Sequence, residues 1–600
     1  MSVLDRLAAA GGLEPLDLHL GRVLLRQGAD ERVALAAALA SRAVGEGDTC
    51  VDLAQRVATP LRDGEGQVVE GWTWPSLDAW ISCLAASPWV TSRRADEPTV
   101  PPLVLRGHQV ALARYAAHER RLAEGLTRLA TAGVPPLDAT LLDASVARLF
   151  TGFENAAQQQ AVRAAAGQAL TVLAGGPGTG KTTTVVRLLA ALLEQAAGAG
   201  RPLPRIRLLA PTGKAAARLA ESMAAQVEGL SLDPAHGARV RAALPVRAST
   251  IHRALGRRNA WGTRVAHDAG RPWSDDVVVV DEASMVDLPL MARLVDALRP
   301  GARLVLLGDP DQLAAVGAGA VLADLCAPGL EGPVAEGVVH LVGSRRFAEA
   351  GGVGQLARAL HAGDGPAATA LLGAGGALRS VVPAGPPARD PAVIEELALG
   401  YRALATAADP AARLAALGAF RVLCAVRRGP AGVEALNRAV EAALRRRGWL
   451  EAPSGRPDEE GLVAGRPILV TANDYDVDLF NGDLGVLDRD AQGQMRAWFA
   501  TPSGVRAVLP ARLPPHEPCF AMTVHKAQGS EVEHVTLVLP DADHVLVTRE
   551  LVYTAITRAR AQVTVVGRPE LLRAGLDRRA VRTTGLRGAL AEAAEARAPR

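Results

Sequence analysis

The sequence predicts an α/β protein: two units built on parallel sheets, a mainly helical N-terminal domain, and a small β-barrel inserted in the second unit. Three observations predict it. From about residue 146 to 335, apolar runs of four residues alternate with helical stretches, and the same alternation resumes from about 336. Between the resumed strands, at about 461–517, the texture changes to short strands joined by turns. Short apolar runs alternating with helices suit strands buried on both faces of a helix-covered parallel sheet.

In chain order, residues 1–145 carry Ala/Leu/Arg helical patterns and four of the eight tryptophans, Trp72, Trp74, Trp80 and Trp89, with no catalytic constellation. In a chain with only 3% aromatics this cluster suggests a partner-docking domain, because tryptophan is enriched at interface hot spots. The domain's own core explains it equally well. The first α/β unit, 146–335, has its strands at Leu170–Leu173, Ile206–Leu209, Val277–Val280 and Leu304–Leu307. The second, 336–600, has them at Arg421–Cys424, Val535–Val538 and Val563–Val566. Inside it the inserted barrel is read from Pro467–Val470, Phe480–Val486 and Met495–Phe499, with Asn481-Gly482 a tight-turn signal. The Gly/Pro-rich stretch 373–391 reads as a surface linker. There is no fixed-period repeat.

Composition narrows the class. With 600 residues, 49% hydrophobic and 22% charged, the chain has room for about three or four ordinary globular cores. No apolar stretch approaches the roughly 18 residues of a membrane span, and acids enter at Asp5, so no signal peptide or membrane partner is expected and the cytoplasm is the default. The five cysteines are dispersed without C-x-x-C spacing, as reduced, buried thiols would be. A net charge of +3 means that nucleic acid would be held by a local groove and not by a basic protein as a whole.

Only three of the 66 basic Lys+Arg residues are lysine, Lys181, Lys214 and Lys526, and each falls in a motif. An ammonium enters a crowded phosphate cradle as a point charge where a planar guanidinium does not. Gly175-Gly176-Pro177-Gly178-Thr179-Gly180-Lys181-Thr182 fits G-x-x-x-x-G-K-[ST] between an apolar strand and a helix that continues from Thr183. Glycine lets backbone N–H groups approach phosphates, Lys181 neutralises β and γ oxygens of ATP, and Thr182 can ligate Mg²⁺. Four valines then run into Asp281-Glu282. That placement suits Asp281 to hold Mg²⁺ and Glu282 to polarise the attacking water, although an acidic pair can also cap a helix. Gly308-Asp309-Pro310-Asp311-Gln312 ends the next strand, where the Gln312 amide can sense a γ-phosphate.

The order of these pieces resembles the superfamily 1 helicases, and most closely the RecD family of the RecBCD helicase–nuclease complexes, over roughly 146–600. The resemblance implies two RecA-like P-loop motor domains and an SH3-like character for the inserted barrel. Gln158, in Gln158-Gln159-Gln160, looks like the adenine-reading glutamine, with its two neighbours as alternatives. Ala210–Lys214 and Ser249–Arg253 look like strand-contacting motifs of the first motor domain, and Thr523–Glu531 like one in the second. Ser344-Arg345-Arg346-Phe347 resembles S-Y-R-F with arginine replacing tyrosine, which leaves Arg346 the γ-phosphate role. Tyr553–Arg560 supplies Arg558 as the matched arginine finger.

Thr212, Thr250, His252, Thr523 and His525 then become the DNA contacts, a sequence-independent grip on phosphate oxygens. Helix capping accounts equally for the threonines. The resemblance implies an ATP-dependent 5′→3′ helicase subunit, partnered with RecB and RecC in a heterotrimer that unwinds double-strand ends for recombinational repair. The alternatives are a stand-alone RecD-like or conjugation-type helicase and an ATP-binding scaffold. Nuclease activity is expected in a partner subunit: no lysine here follows an acid by two residues, since Thr179, Thr212 and Val524 occupy those positions.

Overall fold

The computed structural model describes residues 2–61, 68–92, 101–150, 156–256, 265–341, 352–451, 461–474, 476–501 and 504–597. The N-terminal part is more β-rich than its helical pattern predicts. Strands β1 (Cys50–Asp52), β2 (Val90–Thr91), β3 (Leu103–Arg106) and β4 (Gln109–Leu112) form a sheet in the order β1-β4-β3-β2. Strands this short give too few alternations to stand out from a helical background. The helix Glu31–Glu46 packs on them through an alanine-rich face, capped by the Asp30 side chain on Arg32 N–H and ended by Gly47 at φ 97°. The tryptophans serve this core. Trp80 is fully buried and donates to the Arg32 carbonyl at 2.8 Å, while Trp72, Trp74 and Trp89 pack against the same cluster.

The helix Ala113–Ala130 belongs in packing terms to the next unit. Leu122, Leu126 and Leu129 share one core with Leu170, Val280 and Leu306, and the last helix, Leu586–Glu595, joins them through Leu590. At Gly125 a Cβ would lie 2.4 Å from Val295 Cγ1, so only glycine allows this approach. The two ends of the chain therefore meet on the first parallel sheet.

That sheet has six strands, in the order 338–340, 170–174, 303–308, 277–280, 206–210, 248–250. Its strands are β5 (Leu170–Ala174), β6 (Ile206–Ala210), β7 (Ala248–Thr250), β8 (Val277–Val280), β9 (Arg303–Gly308) and β10 (Val338–His340), all parallel. Every residue of β5, β8 and β9 is buried, as the apolar runs require. Ala174 pairs with Gly308 and Val280 with Leu306, so the carboxyl ends of three neighbouring strands open on one crevice, where α/β sheets bind ligands.

The second parallel sheet contains β11 (Leu378–Val381) and β12 (Phe420–Cys424). The insertion follows as β13 (Pro467–Val470), β14 (Leu484–Arg489), β15 (Met495–Thr501), β16 (Gly504–Val508) and β17 (His516–Pro518). Then come β18 (Ala521–Thr523), β19 (Val532–Val538) and β20 (Ala559–Val566). The parallel order is β11-β20-β19-β12-β18, and the insertion is an antiparallel sheet in the order β16-β15-β14-β13-β17. Two expectations change. The stretch 373–391 is not only linker, because Leu378–Val381 pairs along β20 as an edge strand with Leu378 buried. The residues Phe480–Asp483 are the turn itself, with Gly482 at φ 98° and Asp483 N–H on the Phe480 carbonyl at 3.0 Å, so the strand starts at Leu484. Among the described residues, no helix is long and apolar enough to cross a membrane, and no three His, Cys, Asp or Glu side chains cluster as metal ligands.

Candidate active site

Where β5 ends, the chain makes a loop that only glycine-rich sequence can make. Gly178 and Gly180 hold φ of 77° and 83°, and Gly175 N–H is anchored on the Gly308 carbonyl of β9 at 3.1 Å. Thr179 Oγ1 donates to the Gly176 carbonyl at 2.9 Å. Lys181 opens the helix Lys181–Gly198, and its Nζ donates to the carbonyls of Gly175 (2.5 Å) and Gly176 (2.9 Å), which holds the ammonium over the loop beside the unpaired N–H groups of the helix start. Of the three glutamines, Gln158 reaches the loop: its Nε2 donates to the Thr179 carbonyl at 3.0 Å.

Asp281 and Glu282 leave the end of β8. Glu282 adopts φ 51°, a left-handed conformation that non-glycine residues rarely take, and its N–H donates to Asp281 Oδ1 at 2.9 Å. Burial, and then the neighbouring Glu282 charge, push the Asp281 carboxyl up to about 6, against the attraction of Lys181. At the end of β9, Asp309 accepts from Gln312 Nε2 at 3.0 Å and from the Tyr553 hydroxyl at 3.2 Å. Burial raises both the Asp309 carboxyl and the Tyr553 hydroxyl above their ordinary ranges.

The second parallel-sheet unit, the second lobe, contacts this edge of the first. Thr554 Oγ1 accepts from Leu313 N–H at 2.9 Å, and Gln528 Nε2 donates to the Leu313 carbonyl at 2.8 Å. Arg558 is buried and donates to the carbonyls of Thr554 (3.2 Å) and Ser530 (3.5 Å) in its own lobe. From the first lobe Arg218 crosses to the Gly529 carbonyl (2.8 Å) and the Glu531 carboxylate (2.8 Å). The result is a cleft of about 310 Å³ lined by Pro177, Gly178, Gly180, Lys181, Thr182, Thr183, Asp281, Glu282, Gln312 and Arg558. Arg346 lies outside the described residues. Sequence reasoning assigned no role to Tyr553, Gln528, Thr554 or Arg218. Arg218 had a signal, because it follows Lys214 by four residues on the helix Gly213–Glu228 and so shares its face.

A divalent cation fits the polar edge of this cleft. Four carboxylates, Asp281, Glu282, Asp309 and Glu531, line the cleft against three cations, Lys181, Arg218 and Arg558, and Arg218 is already paired with Glu531, so the acidic pair at the end of β8 keeps room for a further positive charge. With few protein ligands, the remaining coordination would fall to phosphate and water, the habit of Mg²⁺.

The five residues expected to touch DNA do not all converge. Thr212 Oγ1 accepts from Ala215 N–H and Thr250 Oγ1 from Arg253 N–H, each at 3.2 Å, so both cap helices. Thr523 Oγ1 accepts from Lys526 N–H at 3.4 Å. Accepting leaves each hydroxyl hydrogen free to be donated. Thr250 lines a groove of about 580 Å³ between the first lobe, the insertion and the second lobe, with Lys214, Arg253, Arg421, Arg506 and Phe480. The other four lie outside its lining. Burial, with Arg421 and Arg218 adding, brings the Lys214 ammonium down to about 7. Burial also lowers His252 and His525 below the ordinary imidazole range. Lys526 departs from the point-charge expectation, since its Nζ is paired with Glu517 of the insertion at 2.7 Å.

Three protein-family descriptions match the chain: RecBCD enzyme subunit RecD, N-terminal domain, over residues 9–110; an AAA domain over 158–318; and a UvrD-like helicase C-terminal domain over 518–566. The RecBCD enzyme subunit RecD of Mycolicibacterium smegmatis is 45% identical over 601 residues, covering 98% of this chain and 99% of that protein. That of Mycobacterium tuberculosis is 44% identical, covering 96% of this chain and 95% of its own. The ATP-dependent RecD2 DNA helicase of Deinococcus radiodurans is 34% identical, but the match spans 66% of this chain and only 46% of that protein.

Proposed function

Because the chain belongs to the RecD family of RecBCD enzyme subunits, we propose that its two parallel sheets are the cores of two RecA-like motor domains, 146–335 and 336–600. In this reading 461–517 is an SH3-like barrel and 1–145 docks on RecB and RecC, with its helix Ala113–Ala130 packed on the first motor domain. The chain is an ATP-dependent DNA helicase subunit. Acting in the cytoplasm, it moves 5′→3′ on one strand of a double-strand end, and the nuclease lies in a partner. The near-complete overlap with the RecBCD subunits, against less than half of the RecD2 DNA helicase, favours the complex subunit over an independent motor.

One observation carries the mechanism: Lys181, Asp281, Glu282 and Gln312 from three adjacent strand ends share a cleft with Arg558 from the other sheet. The loop Gly175–Thr183 cradles the triphosphate with backbone N–H groups, Gln158 reads adenine, and Lys181 neutralises the β and γ oxygens. Thr182 and Asp281 would hold Mg²⁺, which when bound offsets phosphate charge. Glu282 orients the attacking water and accepts its proton, while Gln312 donates toward the γ-phosphate. Arg558, with Arg346, stabilises charge on the transferring phosphoryl group once the lobes close, so closure follows ATP and opening follows hydrolysis. Thr212, Thr250, His252, Thr523 and His525 supply donors to the phosphates of single-stranded DNA.

The test is copurification from the native cell followed by unwinding of substrates with one 5′ or one 3′ overhang. Assembly with two partners and unwinding from the 5′ overhang are expected. A chain that binds ATP yet shows no DNA-stimulated hydrolysis would be a scaffold, and end-labelled DNA degraded by the isolated chain would place a nuclease in it.

A further inference from the structure

Behind the nucleotide cleft, three segments distant in sequence converge. They are residues 47–49 of the N-terminal part, the segment 313–324 that begins one residue past Gln312 as a loop and runs into the helix Val321–Leu325, and the stretch 578–585 that runs from the helix Pro569–Asp577 of the second lobe to the final helix on the first. One side chain joins them. Arg582 donates through Nη1 to the carbonyls of Gly317 (2.6 Å) and Gly319 (2.9 Å), and through Nη2 to that of Ala315 (2.5 Å). Its guanidinium lies against Gly47, where a Cβ would come within 2.7 Å of Cζ.

Backbone bonds close the junction around it. Thr49 N–H donates to the Thr583 carbonyl at 3.0 Å and Gly319 N–H to the Gly47 carbonyl at 2.8 Å. Thr583 N–H donates to Asp48 at 2.9 Å and Gly585 N–H to Glu119 at 2.7 Å. The Thr584 hydroxyl donates to Asp324 at 2.9 Å. Three carbonyls turned toward one cation is not a conformation a loop adopts unaided, and Gly319 holds φ 97° to reach it. A guanidinium is suited to the task because its donors form a fixed fork, whereas an ammonium concentrates its charge at one point.

Position gives the clasp its consequence. At its start, the loop is gripped by Thr554 and Gln528 of the second lobe, both on Leu313. Two to six residues later it is gripped by Arg582, whose own stretch is anchored by Arg578 on the carbonyls of His544 and Val547, each at 2.8 Å. His525, a proposed strand contact, is close enough for the Arg582 charge to add to its burial in lowering its pKa. Gln528, which grips the start of this loop, directly follows the turn His525–Ala527 that carries the proposed strand contact His525, so that turn and Arg582 hold the same loop beside Gln312.

We propose that Arg582 is a positioning residue that ties the loop beside Gln312 to the N-terminal part, so that stimulation of ATP hydrolysis by DNA passes through this clasp while nucleotide binding does not. The inference rests on the helicase reading above. It is tested in the full chain with a fluorescent ATP analogue for affinity and with ATPase turnover measured with and without oligo-dT. For Arg582→Met, nucleotide Kd and basal turnover should stay within about twofold of wild type, while DNA-stimulated kcat falls by about tenfold. Arg582→Lys should recover part of that loss, because it keeps the charge but not the fork. Equal loss of turnover with and without DNA, or full stimulation in Arg582→Met, would overturn the clasp. If Arg582→Met does not fold, the same comparison in Arg582→Lys decides. A wild-type chain that DNA does not stimulate would overturn the motor reading along with it.

Discussion

In the first lobe the groups at the strand ends are held by their own lobe: Lys181 on the carbonyls of its own loop, Asp281 by the Glu282 N–H, and Gln312 on Asp309. The second lobe delivers its groups from a helix and divides them. Tyr553 and Thr554 reach across to Asp309 and Leu313, whereas Arg558 is turned back onto carbonyls of its own lobe. On the proposed mechanism, the contrast assigns binding and turnover to different lobes. A loop locked by strand ends can bind nucleotide without waiting for the other lobe, while an arginine parked on its own helix acts only after a movement.

The largest expected effect breaks the first lobe's side. Lys181→Ala should lower ATPase by about a thousandfold and weaken nucleotide binding, and Lys181→Arg should do nearly as badly, since the broad fork does not fit within the loop. Near-normal turnover in Lys181→Arg would refute the point-charge argument. Next, Glu282→Gln should lower turnover by about a hundredfold with nucleotide affinity retained, read by equilibrium binding beside steady-state ATPase. Loss of affinity instead would move Glu282 to a structural role.

Tyr553→Phe sharpens the comparison from the second lobe. It removes one donor to Asp309 and leaves the Gln312 bond in place, so it should cost about 1 kcal/mol of cross-lobe contact and a few-fold in turnover. An unchanged turnover would show that the hydroxyl contributes nothing to closure. The last effect is on stability and not on turnover, and it lies where residues 578–585 meet the first lobe. Burial, against the Thr584 hydroxyl and with Glu119 adding, pushes Asp324 up to about 7. A carboxyl raised in the fold binds more protons there than in the unfolded chain, so stability falls as pH rises from about 4 to 7 and levels off above. Asp324→Asn should flatten that part of the fall, measured by thermal midpoints across the same window.

The strands at the heart of both sheets were legible because burial on two faces writes an unbroken apolar run, as in Val277–Val280. Edge strands were not. Leu378–Val381 buries one residue of four and reads as linker, and β2, with two residues, writes no pattern. The phosphate loop and acidic pair were legible because their chemistry fixes residue type and spacing. The groups that join the two lobes were not, since Tyr553 on Asp309 is a contact between residues 244 apart in sequence. The tryptophans were ambiguous from composition alone, and Trp80, inaccessible beneath Arg32, decides for the core at that position. Lys526 shows the limit of reading a rare residue by type, because Glu517 arrives beside it only through the fold of the insertion.

The division between a lobe that binds and a lobe that completes the reaction is tested most directly at Arg558. In Arg558→Ala, nucleotide Kd and DNA-stimulated kcat would be measured on the same preparation. The account predicts a Kd within about twofold of wild type and a kcat lower by at least a hundredfold or so, because the arginine is donated to the reaction and not to the bound nucleotide. A parallel loss of affinity and turnover, or a kcat left intact, would contradict it.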